Sequence, residues 1–132
     1  MDAAGALARL MEDSSQIERA VVLGARGAVL GSTEDDPART QGLVDAAHGL
    51  VAAAGELHTS ADEVTRVEVE LAEGGLFVLS EGGRTIAATT GSGPTAGLVV
   101  YDLRTCLHGI DEPKPKRRRA KPKDANEKGE DA

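Results

Sequence analysis

Three short segments within residues 64–90, separated by Glu73-Gly74-Gly75 and Glu81-Gly82-Gly83, leave this chain little choice of local fold. In 64–71, Val67, Val69 and Leu71 alternate with Arg66, Glu68 and Glu70, the period-2 pattern of a strand with one apolar face. Glycine pairs supply the backbone freedom that tight hairpin turns need. Residues 64–71, 76–80 and 85–90 therefore read as a three-stranded antiparallel meander.

A second hairpin is expected upstream. Residues 17–23 alternate poorly, with Ala20, Val21 and Val22 in an unbroken run, as in a strand covered on both faces, and Gly24-Ala25-Arg26-Gly27 turns the chain back into 28–31. Helical spacing marks three further elements. Leu7, Leu10 and Met11 make a stripe over 3–11, broken by Asp13-Ser14-Ser15. Asp36 is placed as an N-cap with Pro37 at the first helical position, opening a helix over 37–57. There Leu43, Ala47, Leu50, Ala54 and Leu57 recur, Val44 and Val51 widen the stripe, and the alanines at 46, 47 and 52–54 keep the helix slim. Gly91-Ser92-Gly93-Pro94 opens a last helix with Val99, Leu103, Cys106, Leu107 and Ile110 inward, ending near Gly109 and before Pro113 and Pro115. The predicted class is α+β, in the order α-β-β-α-β-β-β-α.

Charge divides the chain differently. Residues 1–112 hold seven Arg, no Lys and 18 acidic residues, a net −11, whereas 113–132 hold eight basic and four acidic residues, a net +4. The first part reads as one domain. The second lacks the apolar content to join a core and reads as a disordered tail. Its cluster over 114–123 (Lys114, Lys116, Arg117, Arg118, Arg119, Lys121 and Lys123) suits nucleic-acid phosphate, anionic membrane or an acidic protein face, all through salt-sensitive neutralisation. In a nucleated cell it also fits an import signal. The bland alternative is a solubilising segment, or one that folds back on its own acidic body.

Core chemistry is aliphatic, since Phe77 and Tyr101 are the only aromatics besides histidine and Trp is absent. A single cysteine, Cys106, excludes an internal disulfide and fits a reducing compartment. No basic-then-apolar leader opens the chain, and no apolar run approaches the roughly 20 residues of a membrane span. The expected location is cytoplasmic.

Candidate chemistry is sparse. Arg26, at a hairpin tip, is placed where an arginine finger could meet a phosphate, although an exposed turn arginine is more often solubilising. Gly91-Ser92-Gly93-Pro94 lacks the Lys-Ser/Thr of a phosphate loop, and its proline removes a donor. His48, His58 and His108 lack metal-ligand spacing, with only Asp45 in helical register with His48. Cys106 sits on an apolar stripe as a core thiol. Glu68 and Glu70 fall on a solvent face, or on the rim of a partner contact. No catalytic constellation is found and no cofactor is expected, so the enzyme reading is rejected.

The element order and three stretches together resemble the roadblock/LC7 domain family. These are Ile17–Leu23 with Ala28-Val29-Leu30-Gly31-Ser32; Val67-Glu68-Val69-Glu70 through Gly75-Leu76-Phe77-Val78; and Thr85-Ile86-Ala87-Ala88-Thr89-Thr90 running into Gly97-Leu98-Val99-Val100-Tyr101-Asp102-Leu103-Arg104. The resemblance covers residues 3–110 and implies a profilin- or longin-like five-stranded antiparallel sheet between helix layers. It further implies a dimer, with third strands pairing edge to edge and middle helices packing together. On this chain that places Leu43, Ala47, Leu50, Ala54, Val67 and Val69 at the interface, with either a second copy or another roadblock protein. Bacterial members similar to MglB-type regulators bind small Ras-like GTPases and modulate their nucleotide cycle; others are scaffolds. The expected function is a non-enzymatic homodimeric adaptor that engages such a GTPase. The alternative is a dimeric scaffold tethered through the basic tail.

Overall fold

A computed structural model describes residues 1–57 and 65–111. The elements follow the predicted order: α1 (Ala3–Asp13), β1 (Ile17–Leu23), β2 (Val29–Ser32), α2 (Pro37–Gly55), β3 (Arg66–Leu71), β4 (Gly74–Glu81), β5 (Arg84–Thr90) and α3 (Ala96–His108). A 3-10 turn, Ala25–Gly27, joins β1 to β2.

The five strands form one sheet in the order β2-β1-β5-β4-β3, antiparallel at every pairing. This places β5, last in sequence, at the centre, and leaves β2 and β3 as edges. On one face α2 lays Leu43, Val44 and Ala47 over Val21, Leu23, Val78 and Ala87. On the other, α1 and α3 bring Leu7, Leu10, Val99, Leu103 and Leu107 over Val22, Phe77 and Ile86. β1 is thus buried on both faces, which explains why its sequence does not alternate.

The N-caps anticipated from sequence are formed. Asp36 Oδ1 accepts from the Ala38 N–H at 3.0 Å, with Pro37 beginning α2. Asp2 does the same for α1, accepting from Gly5 at 2.8 Å.

Several boundaries move. α1 continues to Asp13 and stops where the Ser14 N–H bonds the Leu10 carbonyl. α2 ends at Gly55, and Leu57, expected on its buried stripe, is 78% exposed. The last turn tightens there, with the Leu57 N–H bonding Ala54 O. β4 begins at Gly74, opposite Leu71, so the turn proper is Ala72-Glu73. Gly74 is needed for close approach: a Cβ there would overlap the Thr90 carbonyl oxygen. Gly82 and Gly83, with φ of 61° and 80°, do form the expected turn between β4 and β5. The proposed start of β3 at Val64 and the basic cluster 114–123 lie outside the described residues.

Candidate functional site

No enclosed catalytic centre emerges among the described residues; two surfaces stand out instead. The first is the outer edge of β3. Ser80 N–H donates to Thr65 O at 2.9 Å. Antiparallel alternation from that pair turns the N–H and C=O groups of Val67, Val69 and Leu71 toward β4, and those of Arg66, Glu68 and Glu70 outward. No described strand takes up those outward groups. A bare edge of this kind is a template for another strand.

The second is the outward side of α2. Gly42, Ala46, Gly49 and Ala53 are all exposed and fall within one narrow stripe at 100° per residue. That stripe lies opposite Val44, Ala47 and Val51, which pack inward. A Cβ at Gly42 or Gly49 would meet nothing within 4 Å. Glycine in a helix interior costs about 1 kcal/mol relative to alanine, and the protomer offers no steric reason for either.

The interface residues expected from sequence divide. Leu43 and Ala47 are 7% and 1% exposed and belong to the protomer's own core beneath α2. Leu50 and Ala54 are half-buried on the flank away from His48, hence toward β3. Val67 and Val69 are also half-buried, with Val67 packed under α2. The small-residue stripe was not singled out by the hydrophobic pattern. Two glycines inside a helical run were the available signal.

The remaining candidates are dispersed. Arg26 is exposed and adopts a left-handed φ of 66°, a strained conformation for a non-glycine residue. It lines a polar recess of about 480 Å³ with Gly27, His48, Ser80 and Thr85. Gly91–Pro94 border a separate depression, and Gln16 Oε1 accepts from the Thr95 N–H at 2.6 Å where α3 begins. Asp45 accepts from Gln41 Nε2 at 2.9 Å. His108 Nε2 and Arg104 Nε meet the two carboxylate oxygens of Glu81 at 2.6 Å each. Their hydrogen bonds, Arg104 first, hold the Glu81 carboxyl below its ordinary 4.5. Burial pushes the Cys106 thiol up to about 11, which makes the thiolate nucleophile scarce. Among the described residues no three His, Cys, Asp or Glu side chains gather as a metal site. No described helix is long and apolar enough to cross a membrane.

This architecture has close counterparts. A Roadblock/LC7 domain from Streptomyces avermitilis superposes with a TM-score of 0.68 at 24% identity, over 82% of this chain and 93% of that one. Myxococcus xanthus MglB superposes with a TM-score of 0.65 at 19% identity, over 80% of this chain and 89% of that one. Comparison with curated proteins returns no match. The sequence itself matches the Roadblock/LC7 domain over residues 4–90, from α1 to the end of the central strand. With sheet order, helix placement and sequence in agreement, the chain belongs to the Roadblock/LC7 domain family.

Proposed function

We propose that this protein is a homodimeric, non-enzymatic regulator that binds a small Ras-like GTPase and modulates its nucleotide cycle. The observation that carries the reading is the bare outward edge of β3, toward which α2 turns the half-buried Leu50 and Ala54. Two copies related by a two-fold axis satisfy each other's outward β3 amides and bring their α2 helices side by side on one face of the joined sheet through the Leu50 and Ala54 flank, with the exposed small residues Gly49 and Ala53 bordering it. Such an isologous contact uses one patch twice and yields a continuous ten-stranded sheet. The likeness to MglB in fold supports the GTPase as the kind of partner. A rigid sheet-and-helix surface acts on a GTPase by favouring one arrangement of its switch segments. That mode needs no catalytic group from this chain.

The test is retention of a GTPase from native lysate on immobilised full-length protein, with GDP or a non-hydrolysable GTP analogue present. Capture of a small GTPase in one nucleotide state, lost on disrupting the dimer, supports the proposal. Capture of none in either state overturns it.

A further inference from the structure

The outward edge of β3 carries a charge pattern as well as free backbone groups. Arg66, Glu68 and Glu70 turn their N–H and C=O groups outward, and their side chains share the sheet face opposite α2. Arg66 Nε meets its own Glu68 at 3.1 Å, and both side chains keep solvent access. A guanidinium has five N–H donors, so Arg66 can hold a second carboxylate. When two such edges pair antiparallel, residues with outward groups stand opposite one another, and the position of the two-fold axis decides which. An axis through Arg66, Glu68 or Glu70 sets that residue against its own copy. An axis through Val69 sets Glu68 against Glu70 twice. An axis through Val67 sets Arg66 opposite Glu68 twice and opposes no like charges within Arg66–Glu70. Opposite charges across a ladder stabilise it and like charges weaken it.

The helix layer points to the same register independently. Val51 packs in one cluster with Val67 and borders one recess with Thr65, so the second half of α2 lies over the start of β3. Leu50 and Ala54, on the flank toward β3, meet their copies when the axis passes near that start. Moving the axis from Val67 to Val69 slides the partner by four residues, roughly 13 Å. We propose that this edge recognises a second copy of itself in a single register, with the two-fold axis at Val67 and Arg66 of each chain against the partner's Glu68. It rests on the homodimeric reading above and adds what selects the partner. The fitting edge presents an acid opposite Arg66 and a base opposite Glu68, which this strand does for itself. A strand edge without that spacing meets a charge mismatch.

Single cysteines at positions 67, 68 and 69 read the register through disulfides between copies. The native Cys106 does not compete, being buried with its thiol raised to about 11. With the axis at Val67, two Val67→Cys residues face each other with Cα atoms about 4.5 Å apart, inside the disulfide range. Two Glu68→Cys residues are then roughly 8 Å apart and two Val69→Cys residues roughly 14 Å, both beyond it. Under mild oxidation only Val67→Cys should become a covalent dimer. Preferred linkage at 68 or 69 overturns the register and leaves the dimer standing. No linkage at any of the three, in variants that light scattering finds dimeric, places the interface away from β3 and overturns the proposal. A wild type that is monomeric throughout overturns the homodimer itself, a different failure from a wrong register. Charge reversal tests the selection. Arg66→Glu and Glu68→Arg should each weaken self-association roughly tenfold, because two attractive pairs become repulsive. Mixed together, the two variants should recover a dimer, since each supplies the charge the other lacks. Affinity unmoved by either reversal, or no recovery on mixing, overturns Arg66 and Glu68 as the selecting pair.

Discussion

Gln16 Oε1 accepts a 2.6 Å hydrogen bond from the backbone N–H of Thr95, 79 residues away in sequence. The bond ties the connection between α1 and β1 to the N-cap residue of α3. Thr95 makes no side-chain cap of its own, so Gln16 provides a polar partner that the start of the helix would otherwise take from water.

Replacing Gln16 with Ala should therefore cost about 1 kcal/mol of stability, and Gln16→Glu, which keeps an acceptor, should cost less. Urea unfolding of the three proteins measures the difference. Equal midpoints for wild type and Gln16→Ala would show that water substitutes fully.

Gly49→Leu tests the proposed dimer from the helix side. The protomer has open space at Gly49, and leucine raises helix propensity by about 1 kcal/mol over glycine, so the fold should persist or gain stability. Light scattering should find the wild type dimeric and the variant monomeric at micromolar concentration. A dimer surviving this change would remove α2 from the interface.

The strand side needs a substitution that spares the protomer. Proline at Val69 would break the ladder with β4, because the Val69 N–H points inward. Glu68→Pro removes an outward N–H instead, a position where edge strands tolerate proline. The dimer should dissociate while circular dichroism keeps its folded spectrum. Retention of the dimer would exclude pairing through this edge.

Glu81 gives a pH signature. Its carboxyl is held below the ordinary value of 4.5 by Arg104 and then His108. A depressed folded value means a contribution present above the unfolded value and lost as pH falls through the folded one. The stability advantage of wild type over Glu81→Gln should thus hold near neutrality and shrink below pH 4.5. Melting temperatures across that range decide it, and a constant gap would remove ionisation of Glu81 as the cause.

Cys106 should resist alkylation by iodoacetamide at neutral pH in the folded protein and react quickly in denaturing urea, since burial raises its thiol to about 11. Comparable rates in both conditions would show that α3 leaves the body readily.

Local chemistry in the sequence determined much of this protein. The alternation of Val67, Val69 and Leu71, the Gly82-Gly83 turn, and Asp36 followed by Pro37 act over a few residues, and each is recovered where its pattern placed it. Element order, with the family resemblance it carried, was legible for the same reason. Tertiary structure decided what depends on residues far apart in the chain. It drew Gly74 into β4 against the Thr90 carbonyl and let Leu57 fall off the stripe of α2. It also paired Gln16 with Thr95 and Glu81 with both Arg104 and His108. Most of all it decided which side of α2 is spent on the core. Leu43 and Ala47 bury inward because the sheet beneath supplies their apolar partners, and only then does the Gly42–Ala53 stripe face outward. Helical periodicity identifies a buried face, but what a face is buried against is a property of the assembled sheet.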